Sequence, residues 1–373
     1  MSDYISSIDV VIPSFRMNPE YILPMLAMDI PPQVKTTFIL VKDQPGPVPD
    51  SIRYARGNFE LVVLVNDRNL GSAATRNRGM EAGHGDWVLF LDDDIRVEKN
   101  LLSIYMDAAL NQPEEIGFIG LIELPPAPTA FAAAQLASGA VDIFFISKHK
   151  TSFAWAATAS FMVRRSAVKN IRYSTIIPKT GGGEDVDFCF KIRENNGFKN
   201  FKTLPEAKAW HPWWNDGKPD LYKPFRYGIG NSWLVQLNPK NTYRDFFNTP
   251  ETILIILIAL CLSIIIKPSW VPVILLFTAM SIIIEFLANL AQVQKRQPGA
   301  SLAVILYTTL MRLAQETGVV WGKIKRGRFD QLGLRFHYDG AINKSGFYKT
   351  NTYRIVKWIL YPLAMLAAIY VQR

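Results

Sequence analysis

Apolar and polar positions fall into two regimes along the chain. Up to about residue 210, short apolar runs alternate with polar, helix-forming stretches. Residues 8–12, 36–41, 61–65 and 87–91 are β-branched and almost continuously apolar, the pattern of strands covered on both faces. Between the last two, residues 71–83 are rich in Ala, Met, Arg and Asn and predict a crossover helix. This alternation predicts a parallel α/β sheet. Residues 116–124, 155–163 and 198–209 read as further strands. Pro125, Pro126 and Pro128 break the chain before an Ala-rich stretch at 129–140, and Gly181, Gly182 and Gly183 precede a helical pattern at 184–195. No internal repeat is visible.

From residue 252 the alternation stops. Residues 252–266 are almost purely apolar, Lys267-Pro268 makes a turn, and 270–293 is apolar again apart from Glu285 and a few polar residues. Each run approaches the roughly 20 residues that span a bilayer, so the pair predicts a transmembrane hairpin at about 252–293. Residues 300–320 are apolar but contain Arg312 and Glu316, and predict an interfacial or re-entrant helix at about 300–321. A basic segment at 322–357 precedes a short apolar anchor at 358–372. Within it, 323–357 carries nine Lys+Arg (Lys344 among them) against two acids, and Lys295-Arg296 closes the hairpin, which puts both on the cytoplasmic side. The expected division is a catalytic domain at 1–240 and a membrane region at 241–373. Met1 to Ser7 has no apolar run of signal length, and no cleaved export signal is expected.

Charge changes the picture only after it is divided. The 373 residues carry 41 Lys+Arg and 32 Asp+Glu, a formal charge of +9. Residues 251–373 hold 14 basic and 5 acidic residues, which is 14 − 5 = +9, so 1–250 balance at 27 against 27. The excess belongs to the most apolar third, which argues for a membrane surface and against nucleic acid. Two cysteines, Cys189 and Cys261, exclude a disulfide framework and a Cys-ligated zinc site.

Several polar groups stand where open α/β sheets bind ligands, at the carboxyl ends of strands. The first strand ends in Pro13-Ser14, within Val-Val-Ile-Pro-Ser-Phe-Arg. Asn69-Leu70-Gly71 turns into a helix start of small residues, with Arg76 one turn in. That is either a tight βα turn or a place where a bulky ligand meets the backbone and a guanidinium meets phosphate. Asp92-Asp93-Asp94 follows the apolar Trp-Val-Leu-Phe-Leu strand; hard oxygens there suit Mg²⁺ or Mn²⁺ bridging a diphosphate. Glu184, Asp185 and Asp187 open a helix after three glycines, either as acids at the helix N-terminus or as a carboxylate base on a mobile loop. Asp185 and Asp187 face different ways on a helix, so only one can serve. His211 lies in Trp-His-Pro-Trp-Trp, a reasonable third metal ligand; Trp213 and Trp214 could stack on a sugar, meet the interface or pack in the core.

Taken in order, these residues resemble family 2 glycosyltransferases with a GT-A fold, the Rossmann-like nucleotide-diphospho-sugar transferase domain, over about residues 8–235. The resemblance implies a membrane-anchored, metal-dependent, inverting enzyme. Asp185 would be the base that takes a proton from the acceptor hydroxyl. Asp94 and His211 would hold Mn²⁺ or Mg²⁺. Pro13, Ser14, Asp43, Asn69, Arg76, Asp92 and Asp93 would bind the nucleotide-diphospho-sugar donor, a UDP-sugar in the first instance, with Asp43 at the base and Arg76 at the diphosphate. Trp155, Glu184, Trp213, Trp214 and Arg226 would lie on the acceptor side. The Gln-x-x-Arg-Trp motif of processive synthases is absent, which argues against extrusion of a long polymer. The membrane end fits a lipid-linked glycan acceptor; the rivals are transfer to a polyprenyl phosphate, which needs no base, and a non-catalytic membrane protein that keeps the fold for binding.

Overall fold

The computed structural model describes residues 5–179, 181–342 and 348–372; Lys344 of the basic segment lies outside them. The chain forms two compact units. The first comprises Met1–Pro126, Val141–Asp216 and Tyr338–Gly340, the second Ala127–Ala140, Gly217–His337 and Ala341–Arg373.

The first unit is built on a nine-stranded sheet: β1 (Ser6–Ser14), β2 (Val34–Lys42), β3 (Glu60–Val65), β4 (Trp87–Leu91), β5 (Arg96–Val97), β6 (Gly117–Glu123), β7 (Ser152–Phe153), β8 (Ser160–Arg164) and β9 (Phe201–Trp210). Their order is β3-β2-β1-β4-β8-β6-β9-β5, with β7 also on β9. The central strands are buried on both faces, which is why they read as continuous apolar runs. Val10, Ile12, Leu40, Leu89 and Leu91 point into one core, and Val11, Ile39, Val41, Val88 and Phe90 into the other. The Ser72–Ala82 helix packs Ala73 and Met80 on the second core, and the Pro19–Leu26 and Leu101–Asn111 helices cover the first.

The sheet is mixed, where the alternation predicted a parallel one. β1, β2, β3 and β4 are parallel, but β8 inserts antiparallel between β4 and β6. Apolar periodicity carries no strand direction, so the antiparallel β8 could not be told from a parallel strand. Its start was also expected too early, at 155. Residues 154–159 instead form a connection whose small side chains, Ala154, Ala156 and Ala159, are themselves buried. The consequence for the site is simple. β1, β2, β4 and β9 present their carboxyl ends along one edge, so residues 14, 43, 92–94 and 211 emerge together.

The second unit is helical. Thr249–Ile266, Pro268–Arg296 and Thr352–Val371 are long and apolar enough to cross a membrane. The last helix starts six residues before the expected anchor, because Arg354 and Lys357, read as solvated charge, are internal. Arg354 pairs with Asp245 at 3.1 Å and Lys357 with the buried Glu285. Lys323 and Arg335 likewise converge on buried Glu251. Four of the nine cations of the basic segment are therefore spent inside the unit. Leu302–Lys325 is one unbroken helix. It crosses the Tyr222–Asn231 helix through Gly228 and Gly318, where an added Cβ would meet backbone oxygen at 2.0 Å.

Candidate functional site

The edge formed by the strand ends opens into a cavity of about 370 Å³ lined by Pro13, Ser14, Asp43, Asn69, Gly71, Arg76, Asp92–Asp94, His211 and Trp214. Three adjacent carboxylates would repel one another in any shared orientation. Here each is held by a different partner. Asp92 accepts from Arg76 Nη2 at 2.8 Å, Asp93 from Ser14 Oγ at 2.6 Å, and Asp94 from Arg16 Nη2 at 3.0 Å. Burial nevertheless pushes the Asp93 carboxyl above its ordinary range, with Asp94 and Asp92 adding to the rise. Arg16 was not singled out by sequence, since one exposed arginine past a strand carries no pattern.

Asp92, Asp94 and His211 offer ligand atoms that all lie within 4.8 Å of one another. His211 Nδ1 is 2.6 Å from the Pro212 carbonyl, which can only accept, so the proton sits on Nδ1. The other ring nitrogen, Nε2, lies 3.4 Å from Asp94 Oδ1. A fixed tautomer and two hard carboxylate oxygens are a donor set that fits Mn²⁺ or Mg²⁺.

Asp43 does a second job. Its carboxylate accepts from Asn66 Nδ2 at 2.8 Å, Leu70 N at 2.8 Å and Gly71 N at 2.9 Å, and so shapes the turn beside the cavity. Gly71 is required there: its φ is +88°, and a Cβ would lie 2.3 Å from Lys179 Cβ. Asn69 contributes its carbonyl, which accepts from Lys179 Nζ at 3.1 Å.

Arg76 is buried beneath this turn. Besides Asp92 it reaches Glu184 Oε1 at 3.7 Å and lies over the Tyr173 ring at 5.7 Å. Its guanidinium therefore joins the acidic triplet to the Glu184-Asp185 pair. Ser72 Oγ also donates to Glu184, at 3.0 Å. Asp185 and Asp187 differ in burial. Asp187 is fully buried in an ion pair with Lys191 at 2.6 Å. Asp185 keeps partial exposure, and burial together with the neighbouring Glu184 charge pushes its carboxyl up to about 7.

The remaining candidates divide. Trp214 lines the cavity with its ring 4.7 Å from that of His211. Trp213 is buried and donates to the Pro125 carbonyl at 2.9 Å, which makes it a core residue rather than a stacking platform. Trp155 packs on Tyr338 at 6.0 Å between ring centroids, a partner 183 positions away that no local pattern could reveal. Arg226 lies in the second unit, over the Tyr222 ring.

Residues 10–171 match the family model described as Glycosyl transferase family 2. The chain carries a family 2 glycosyltransferase domain. Within the matched residues lie most of β1, the parallel strands β2 to β4 and the acidic edge at their carboxyl ends. An uncharacterized glycosyltransferase of Haemophilus influenzae is 30% identical over 88 residues, 23% of this chain and 29% of that protein. A glucosyl-dolichyl phosphate glucuronosyltransferase of Haloferax volcanii is 32% identical over 74 residues, 20% of this chain and 24% of that protein. The matches thus span under a third of the length of these curated relatives. Among solved structures, the mannosyltransferase PcManGT of Pyrobaculum calidifontis, in complex with GDP-Man and Mn²⁺, aligns at TM-score 0.44 and 12% identity over 88% of this chain and 89% of that one. S. aureus TarS 1–349 in complex with UDP aligns at TM-score 0.40 and 14% identity over 91% and 99%.

Proposed function

We propose that this family 2 glycosyltransferase is a membrane-anchored inverting enzyme. It moves a sugar from a nucleotide-diphospho-sugar to a hydroxyl of a lipid-linked glycan at the cytoplasmic face. The observation that carries the reading is the line of contacts from the half-buried Asp185 through Glu184 and Arg76 to Asp92, which couples a carboxylate poised near pH 7 to the candidate metal ligands. A general base is most useful when its pKa lies near the working pH.

In the proposed step, Asp185 accepts the proton of the acceptor hydroxyl as that oxygen attacks the anomeric carbon. The new glycosidic bond forms while the bond to the diphosphate breaks on the opposite face, which inverts the configuration. Asp92, Asp94 and His211 would hold Mn²⁺ or Mg²⁺, which when bound neutralises charge on the leaving diphosphate. Trp214 forms an aromatic wall of the cavity. A base is superfluous for a lipid phosphate, so Asp185 favours a hydroxyl acceptor. Three long apolar helices and the likeness to a glucosyl-dolichyl phosphate glucuronosyltransferase support an acceptor held at a membrane. Lys295 and Arg296 at the end of the second apolar helix support the cytoplasmic face.

The test is transfer of labelled sugar from a panel of nucleotide sugars into a lipid extract by the detergent-solubilised full chain with Mn²⁺. Label released from the lipid phase by mild acid as part of an oligosaccharide, or retained there as a glycolipid, indicates a glycoside; release as the free monosaccharide indicates transfer to a lipid phosphate. Absence of transfer and of nucleotide binding across the panel overturns the enzyme reading.

A further inference from the structure

We propose that Lys179 is a donor-binding residue that supplies the cavity's available positive charge to the diphosphate of the nucleotide sugar. The inference rests on the glycosyltransferase reading and adds a residue that reading does not use.

The cavity wall carries four carboxylates, Asp43, Asp92, Asp93 and Asp94. An incoming diphosphate must meet cations there. The two arginines nearest the triplet are engaged: Arg76 faces Asp92 and Glu184, and Arg16 faces Asp94 and Asp93. Lys179 also lines the cavity and is exposed. Among the described residues its Nζ makes one hydrogen bond, to the neutral carbonyl of Asn69 at 3.1 Å. That bond uses one of three ammonium protons and none of the charge. The contact with Gly71 fixes the stem of the side chain on the turn that opens the Ser72–Ala82 helix, whose N-terminus has no side-chain cap. An ammonium and an uncapped helix start thus face the same space, and both favour an anion.

Lys179 also lies six residues before Asp185, on the segment that runs through Gly181, Gly182 and Gly183 into the helix bearing it. Donor engagement and the proposed base thus share one stretch of the chain.

The experiment measures UDP and GDP binding to the full chain in detergent with Mn²⁺, by calorimetry, for wild type, Lys179→Met, Lys179→Gln and Lys179→Arg, with uridine and guanosine as phosphate-free controls. Loss of the charge in Met and Gln should weaken the bound nucleoside diphosphate about tenfold, with Arg within a few fold of wild type and nucleoside binding unchanged. Glutamine keeps a donor for the Asn69 carbonyl but no charge. Wild-type affinity in Lys179→Gln would reduce Lys179 to a pin for the turn and overturn the proposal, as would equal loss of nucleoside and diphosphate binding. If wild type binds no nucleoside diphosphate, the glycosyltransferase reading itself fails, and the proposal falls with it.

Discussion

Arg76 Nη2 lies 2.8 Å from Asp92 Oδ1, and Nη1 of the same guanidinium lies 3.7 Å from Glu184 Oε1. One buried cation therefore faces the acidic triplet and the Glu184-Asp185 pair at once, and it is among the groups that hold the Asp185 carboxyl down. Replacing Arg76 with Met should let that carboxyl rise further. The expected result is a transfer rate about tenfold lower than wild type at pH 6, with the gap narrowing as pH rises. Lys at this position keeps the charge and should shift the profile less. A kcat/KM profile against pH checks this; parallel curves for wild type and Arg76→Met would show no coupling.

Asp185 gives a second prediction with opposite effects on activity and stability. Its folded pKa of about 7 stands above the roughly 3.9 of an unfolded aspartate. Between those values the folded chain binds the extra proton, so this group's contribution makes the fold less stable as pH rises from about 4 to about 7, and the cost is complete above that. Asp185→Asn removes the cost. It should raise the melting temperature at pH 8 by several degrees, hardly change it at pH 4.5, and nearly abolish transfer while donor binding persists. Thermal denaturation at the two pH values and calorimetry with the donor decide it; equal loss of binding would remove Asp185 from the role of base.

The candidate metal triad is tested through binding rather than turnover. Asp94→Ala and His211→Ala should each weaken Mn²⁺ binding by roughly 10–100-fold and make nucleoside diphosphate affinity insensitive to Mn²⁺. Electron paramagnetic resonance titration of free Mn²⁺ reads the first effect directly. An unchanged titration in both variants would assign the carboxylates to Arg16, Ser14 and Arg76 alone.

Much of this was legible in the chain because burial on both faces leaves a plain mark. Val10, Phe38, Leu89 and their neighbours could belong only to central strands, and polar groups just past such strands could only line the ligand edge. What stayed hidden was whatever depends on a distant partner. Arg354 and Lys357 disguised the start of the last helix because their countercharges, Asp245 and Glu285, lie 109 and 72 positions earlier. The clamp on each member of the triplet comes from 16 to 79 positions away, and neither Arg16 nor Ser72 bears any local sign of its role. β8 gave its apolar alternation but not its direction, since a strand reads the same either way.

Trp213 and Trp214 are indistinguishable in sequence and opposite in structure, which separates a stability effect from a binding effect at adjacent positions. The Trp213 indole N–H donates to the Pro125 carbonyl from a buried position, so Trp213→Phe leaves that carbonyl unsatisfied and should cost about 1–3 kcal/mol, seen as a lower melting temperature with unchanged affinities. Trp214 is half-buried at the cavity and rests against His211 and Phe144. Trp214→Ala should weaken binding of the sugar-bearing donor more than of the nucleoside diphosphate alone, with a smaller change in melting temperature than Trp213→Phe. Thermal denaturation and paired titrations of the two ligands distinguish the residues. A larger melting change for Trp214→Ala, or equal loss for donor and diphosphate, would make Trp214 a packing residue as well.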